Sequence, residues 1–358
     1  MPPHPPAPCP HKAGSRRHRP YGRGAPEFNR YKLRKLSALN IDWPIKQERL
    51  YPRAQPLIVE IGFGNGDFLI HLAQTQPDCN ILGFEVSSQS MDKAEAKIDK
   101  LGLTNARAIH SRAETALNCL LPPETAQAFH INYPDPWFKK KHRRRRLIQR
   151  DTVNLLTSRL AAGGRLLLAT DIIEYAEMAH EILSQTPGLT NQLASPWTQQ
   201  LEGRFRTKYE LKGYREGRRG HFFVYRRNDH PVVHPPVVKE LDMPHLFLRS
   251  PLSAAEIVAR FQAGRRRIDG IHIAILRAYA DPGRDSAVFE VLVEEPTIEQ
   301  HTMIMLSPRA GAGEYIVKMT SLGQARPTLG MHRAVAAVGE WVAGLDAGGM
   351  VLERKLRD

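Results

Sequence analysis

The sequence predicts an α/β fold, a parallel sheet with helices on both faces, followed by a smaller α+β domain. Three observations carry this. Short apolar runs alternate with helically spaced segments between Pro56 and Ala169, and a glycine-rich turn follows the first run. Beyond a proline-rich break at residues 228–240, runs with strand character follow one another and a single helical stripe comes near the end. Alternating strands and helices imply a parallel sheet, and successive strands an antiparallel one.

The elements follow in order. Residues 1–30 mix Pro, His, Arg and Gly with almost nothing to bury, which predicts a basic, disordered segment. Arg30–Asn40 reads as a basic lead-in expected to order on the domain or on RNA, and the two together make an N-terminal arm over residues 1–40. Leu57–Ile61 is the first strand, and Asp67 to Gln76 carries Phe68, Leu69 and Leu72 at helical spacing. Asn80–Val86 gives a second strand and a helix through Ile98 follows. Ala106–His110 and Ala128–Asn132 give the third and fourth strands, Leu147–Leu160 a helix, and Gly164–Ala169 a fifth strand. The domain is expected to occupy residues 41–227, with 228–240 as linker and 241–358 as the second domain. There Ile271–Asp281, Ser286–Glu295, Thr302–Ser307, Glu314–Thr320 and Met350–Leu356 read as strands. Met331, Val335, Val338, Val342 and Leu345 form the helical stripe.

Composition narrows the class. At 358 residues, 42% hydrophobic and 25% charged, the chain suits two globular domains. No apolar stretch approaches the roughly 20 residues that span a bilayer, and the N-terminus lacks the apolar core of a signal peptide. Cys9, Cys79 and Cys119 are widely spaced, which predicts neither a disulfide framework nor a thiolate zinc site and fits a reducing cytoplasm. Residues 241–358 hold 14 Lys/Arg and 14 Asp/Glu, so the whole excess of +14 lies in residues 1–240. A polyanionic partner is therefore expected at the first domain.

Gly62-x-Gly-x-Gly66 after the first strand marks a nucleotide-type turn, yet it is not the dinucleotide spacing, since the third glycine comes one residue early. Glu60 precedes the loop and Glu85 ends the second strand. Glu85 suits the ribose hydroxyls of an adenosine. An anion at Glu60 repels a pyrophosphate but suits the amino end of a methionine, which favours S-adenosylmethionine over NAD.

The most specific stretch runs from Ile131 to Arg146. Pro134 and Pro136 bracket Asp135 and restrict the backbone to an extended path. Trp137 stands next to it, able to stack or to pack. Seven Lys/Arg then fall within the eight positions Lys139–Arg146. Such a run neutralises phosphates with salt-sensitive affinity.

Taken with Val59–Gly66, Phe84-Glu85, Pro134-Asp-Pro-Trp-x-Lys139, Ala169-Thr-Asp171, Tyr175 and Thr207-Lys-Tyr-Glu210, the chain resembles the tRNA (guanine-N7-)-methyltransferase family, bacterial single-subunit type, over about residues 55–226. The resemblance implies a Rossmann-like class I methyltransferase fold. It implies S-adenosylmethionine as cofactor and methyl transfer to N7 of guanosine 46 in the tRNA variable loop. On the matched positions Glu60, Gly62, Gly64, Glu85 and Asp135 would hold the cofactor, with Asp135 as the catalytic carboxylate. Lys139, Asp171, Thr207, Lys208, Tyr209 and Glu210 would contact the substrate. Lys141, His142, Arg143, Arg144, Arg145 and Arg146 would meet the RNA backbone. The chain departs from the family at Arg112, a cofactor-binding position where many members carry an acid that accepts from the adenine amino group. Ser111, Glu114 or the backbone would then read the adenine.

Guanine N7 carries an in-plane lone pair, so the expected work of Asp135 is to orient the base and offset the positive charge that develops on it. Two rivals remain open at this point: a methyltransferase of this fold acting on another RNA or on protein, and an RNA-binding homologue without catalysis. The C-terminal extension carries no recognised resemblance. Its candidates are a stabilising appendage, a dimerisation module or a protein-partner site.

Overall fold

The computed structural model describes residues 35–357. The expected N-terminal arm lies outside the described residues up to residue 34, but its last part is ordered: Leu36 and Ala38 are buried in the first domain and Ser37 bridges His110 of the third strand.

β1 (Leu57–Ile61) is buried along its whole length and forms the centre of a seven-stranded sheet. β2 (Asn80–Glu85) and β4 (Ala126–Asn132) flank it in parallel. β3 (Ala106–His110) pairs parallel with β2, and β5 (Leu160–Thr170) parallel with β4. Ile58 packs into one apolar layer with Leu69, Leu72, Met91 and Ile98. Its neighbours Leu57 and Val59 pack into the opposite layer with Leu117, Val153, Leu156 and Leu183. The two-residue alternation of a strand thus feeds two cores, which is why both faces carry helices. The first layer holds α2 (Asp67–Thr75) and α3 (Ser88–Lys100). The second holds a π turn over Ala116–Leu120, α5 (Arg150–Arg159) and α6 (Ile173–Ser184). In chain order α1 is the short Gln47–Leu50, and α4 (Ala113–Thr115) runs directly into the π turn.

The structure differs from the sequence reading in the sheet and at element bounds, where β5 starts at Leu160, four residues before the expected Gly164. The sheet is mixed: β7 (His221–Arg227) pairs antiparallel with β5, and the three-residue β6 (Leu189–Asn191) antiparallel with β7, giving the order β3-β2-β1-β4-β5-β7-β6. α5 begins at Arg150, three residues later than expected from Leu147. The Ile148 N–H donates to the Tyr175 hydroxyl at 3.3 Å, outside any helical ladder.

The second sheet is antiparallel throughout, in the order β14-β8-β13-β12-β11-β10-β9. β8 (His245–Arg249), α8 (Ala254–Ala259) and β9 (Gly264–Ile268) were not expected from the sequence. β10 (Ile271–Asp281), β11 (Ser286–Glu294), β12 (Glu299–Pro308), β13 (Glu314–Met319) and β14 (Met350–Lys355) correspond to the expected runs. Along β11 every second residue is buried, and α9 (Leu329–Ala343) covers that face with Met331, Val335, Val338 and Val342.

The two halves touch through polar contacts. The fully buried Arg159 donates to Leu117 O at 2.9 Å and to Pro235 O at 2.8 Å, and Val238 N–H to Asn118 O at 2.8 Å. The residue 228–240 segment therefore lies along the first domain instead of hanging free. The Thr115 hydroxyl donates to Thr297 O at 2.7 Å, and Arg326 reaches Ile41 O while lying over the Trp43 ring. Among the described residues no helix is long and apolar enough to cross a membrane.

Candidate active site

The sheet order reverses between β1 and β4, and in such sheets the crevice outside the strands' carboxyl ends binds ligands. Gly62, Gly64 and Gly66 line it with φ of 74°, 54° and 76°. A Cβ added at Gly62 or Gly64 would meet nothing within 4 Å, so both look onto open space. At Gly66 it would stand 2.8 Å from Ala94 Cβ, so this glycine lets the start of α2 approach α3.

Glu60 is 1% exposed at the end of β1. Its Oε1 accepts from Asn132 Nδ2 at 3.1 Å, while Oε2 has no partner among the described residues. Burial pushes its carboxyl up to about 8, against the opposing influence of Asn132 and Arg204. An unpartnered buried carboxylate oxygen beside an open glycine cradle fits an ammonium group. Glu85 is held by three backbone donors, Gly64 N–H at 2.9 Å on Oε2, and Val86 N–H at 2.8 Å and Ser87 N–H at 2.9 Å on Oε1. A carboxylate has about four acceptor sites, so one remains for a ribose hydroxyl unless Gly64 yields its own. The glycine loop and the ribose carboxylate are thereby one hydrogen-bonded unit. The Arg112 side chain turns away, 3.6 Å from Glu114 and 3.3 Å from Glu299 of the second sheet.

Asp135 is exposed on the loop leaving β4. Tyr133 and Trp137, two residues to either side, have φ of 52° and 43°, a left-handed backbone uncommon for bulky side chains and typical of functional loops. The loop is pinned on both flanks. Tyr133 N–H donates to Ala169 O at 2.8 Å, and Arg146 donates to Pro136 O at 2.8 Å and Trp137 O at 3.4 Å. Arg146 therefore serves the loop rather than facing solvent. The basic run forms a 3₁₀ turn over Lys140–Arg145. Lys139, Lys141, Arg143, Arg144 and Arg145 are exposed, Arg145 lies 5.1 Å above the Trp137 ring, and His142 is half-buried 5.7 Å from it.

The remaining expected residues gather on an adjoining wall. The Thr207 hydroxyl caps α7 (Lys208–Arg215) by accepting from Glu210 N–H at 3.2 Å. The Lys208 side chain lies outside the described residues. Tyr209 is half exposed, its ring 5.1 Å from Tyr133 and its hydroxyl 3.4 Å from Asp171 Oδ2. Asp171 is ion-paired with Arg218. Glu210 is turned inward, 4% exposed, towards Arg204. Sequence reasoning missed Arg204 and Arg218, since neither has a motif spacing to its carboxylate and only the fold brings the partners together.

A switch-point crevice with an open glycine turn, a buried carboxylate and a pinned Asp135 loop defines the chain as a class I methyltransferase in architecture. A family described as putative methyltransferase matches residues 54–223. The tRNA (guanine-N(7)-)-methyltransferase of Thermus thermophilus is 33% identical over 83% of this chain and 92% of its own length. That of Nitrosospira multiformis is 39% identical over 50% of this chain and 77% of its own. The chain belongs to the tRNA (guanine-N7-)-methyltransferase family. The Thermus match over 301 residues necessarily runs into the second domain, so the C-terminal extension, expected to be without resemblance, shares sequence with at least this relative. Among solved structures, the 16S rRNA methyltransferase KamB aligns with 55% of this chain and all of its own at 13% identity, with a TM-score of 0.40.

Proposed function

We propose that this chain transfers the methyl group of S-adenosylmethionine to N7 of a guanine in tRNA, at guanosine 46 of the variable loop as the family resemblance implies, and that it works in the cytoplasm. The observation that carries the reading is a direct bond: Asn132, which opens the Asp135 loop, donates to Glu60 beside the glycine cradle. The cofactor carboxylate and the substrate loop are thus held as one site.

S-adenosylmethionine, when bound, supplies an electrophilic methyl group on a sulfonium. Glu60 takes the amino end, Glu85 a ribose hydroxyl, and Gly62 and Gly64 leave room for the chain between them. Asp135 accepts from the guanine N1–H or amino group, and its charge favours the cationic product over the neutral base. No proton has to be removed before attack, because N7 offers its lone pair in the ring plane. Tyr133 and Tyr209, 5.1 Å apart, offer aromatic faces to a base withdrawn from its stack. Asp171 fixes Tyr209 and Arg218 on the substrate wall, and Lys139 with the exposed part of Lys141–Arg145 meets the phosphates. The second domain supports the first, a role favoured by the buried Thr115 hydroxyl donating to Thr297 O and by the Arg112–Glu299 pair.

The test is to incubate the purified chain with S-adenosylmethionine and unmodified tRNA transcript, digest, and identify the methylated nucleoside. The expected product is 7-methylguanosine, absent when the target guanosine is replaced. Another methylated nucleoside, or methylated protein with unmodified tRNA, overturns the reading.

A further inference from the structure

Arg204 lies in the loop before α7, and its side chain is 8% exposed. It donates to Asn132 Oδ1 at 2.9 Å, and the same Asn132 donates to Glu60 Oε1 at 3.1 Å. On its other side Arg204 Nε stands 3.5 Å from Glu210 Oε2, a carboxylate whose side chain is 2% exposed. Its guanidinium lies 4.6 Å from the Phe222 ring centroid and 5.7 Å from that of Phe68, so apolar faces close the pair off from water. The next residue, Phe205, stacks on His71 of α2 at 4.4 Å. A single buried guanidinium therefore bridges the carboxylate at the end of β1 and the carboxylate of the α7 helix.

This bridge is incomplete. Glu60 Oε2 has no hydrogen-bond partner although it is buried, and the Tyr133 hydroxyl, Arg204 Nε and the Glu210 carboxylate lie within reach of one another without closing a well-formed hydrogen bond. Imperfectly paired buried polar atoms in a low-dielectric pocket are costly, so the Arg204–Glu210 contact has stabilisation still to gain. A ligand that engages Glu60 alters the first link of the chain, and a base that settles against Tyr133 and Tyr209 alters the last.

We propose that Arg204 is a positioning residue that couples the cofactor carboxylate Glu60 to the substrate helix α7, so that occupancy of either site tightens the other. The proposal rests on the functional reading above. Coupling through a shared two-ended network is reciprocal, and a network of this kind supplies a factor of roughly 5–150.

The experiment is calorimetric titration of S-adenosylhomocysteine into the full chain, with and without saturating unmodified tRNA. In the wild type, tRNA is expected to tighten S-adenosylhomocysteine binding by at least about fivefold. Arg204→Met brings that ratio to about one, while binding without tRNA weakens much less and Tm stays within a few degrees. Arg204→Lys, which keeps a charge near Glu210 without the planar fork, retains part of the ratio. Glu210→Gln breaks the link from the other end, collapses the ratio as well, and serves should Arg204→Met fail to fold. A full ratio in Arg204→Met or in Glu210→Gln overturns the proposal, and so does a wild-type ratio of one. Absence of any S-adenosylhomocysteine binding by the wild type instead removes the functional reading on which it stands.

Discussion

Asn132 Nδ2 donates to Glu60 Oε1 at 3.1 Å, tying the last residue of β4 to the fourth residue of β1 across the switch point of the sheet. The bond explains how a carboxylate can be kept 1% exposed and still aimed into the crevice. Glu60 holds its proton in the fold up to about pH 8, whereas an unperturbed glutamate loses it near 4.5. Between those values the folded state binds more protons than the unfolded one, so stability falls as pH rises. Glu60→Gln is therefore expected to raise the Tm of the ligand-free protein, more at pH 8 than at pH 5. Each kcal/mol regained is worth about 2–4 °C. The same change weakens S-adenosylhomocysteine binding by roughly 10- to 100-fold, since a hydrogen bond to a charged group is removed. Scanning calorimetry at both pH values and titration of the ligand check the two halves.

Asp135→Asn keeps the shape of the pinned loop and removes the charge. Turnover should fall by about 10²–10³, the usual cost of losing one oriented electrostatic group, with tRNA affinity within about twofold. Near-full turnover at unchanged binding would remove Asp135 from the chemistry.

Arg143→Ala and Arg144→Ala remove exposed cations from the 3₁₀ turn without touching the bonds that Arg146 makes to the loop. Each should lower the slope of log affinity against log salt by about 0.7–0.9 for every phosphate no longer neutralised, with kcat preserved. Filter binding over a salt series measures this.

Arg112→Ala tests whether the departure from the family pattern matters. Its side chain is about half exposed and paired outward to Glu299, an interaction worth about 0–1 kcal/mol. S-adenosylhomocysteine affinity should change less than about twofold. Thr115→Val, by contrast, strips the buried donor from Thr297 O and should destabilise the protein by roughly 1–3 kcal/mol in denaturant titration.

Gly66→Ala places a methyl group 2.8 Å from Ala94 Cβ on a backbone with φ of 76°. Repacking α2 against α3 should cost roughly 1–3 kcal/mol and weaken cofactor binding with it. Circular dichroism melts compare it with Gly64→Ala, where backbone strain acts but no neighbour is met.

Much of the first domain was legible in the sequence because its signals are local. A five-residue apolar run such as Leu57–Ile61 states its own burial, the glycines state their turn, and Pro134 and Pro136 restrict the Asp135 loop. β6 was illegible because three residues carry no period. β7 hid because Arg226 and Arg227 end a strand otherwise buried, and Arg227 is paired inside with Leu160 O and Glu124. β9 reads as a charge cluster, Arg265-Arg-Arg267, and is a strand only because it pairs with β10. The sequence by itself thus determined the alternating fold, the carboxylates at the ends of β1 and β2 and the basic Asp135 loop. The tertiary structure alone decided that Glu210 faces inward to Arg204, that Asp171 meets Arg218, and that Arg112 belongs to the pairing with Glu299. These pairings join residues 6 to 187 positions apart, and ion pairs, unlike hydrophobic periodicity, leave no pattern along the chain to announce their partner.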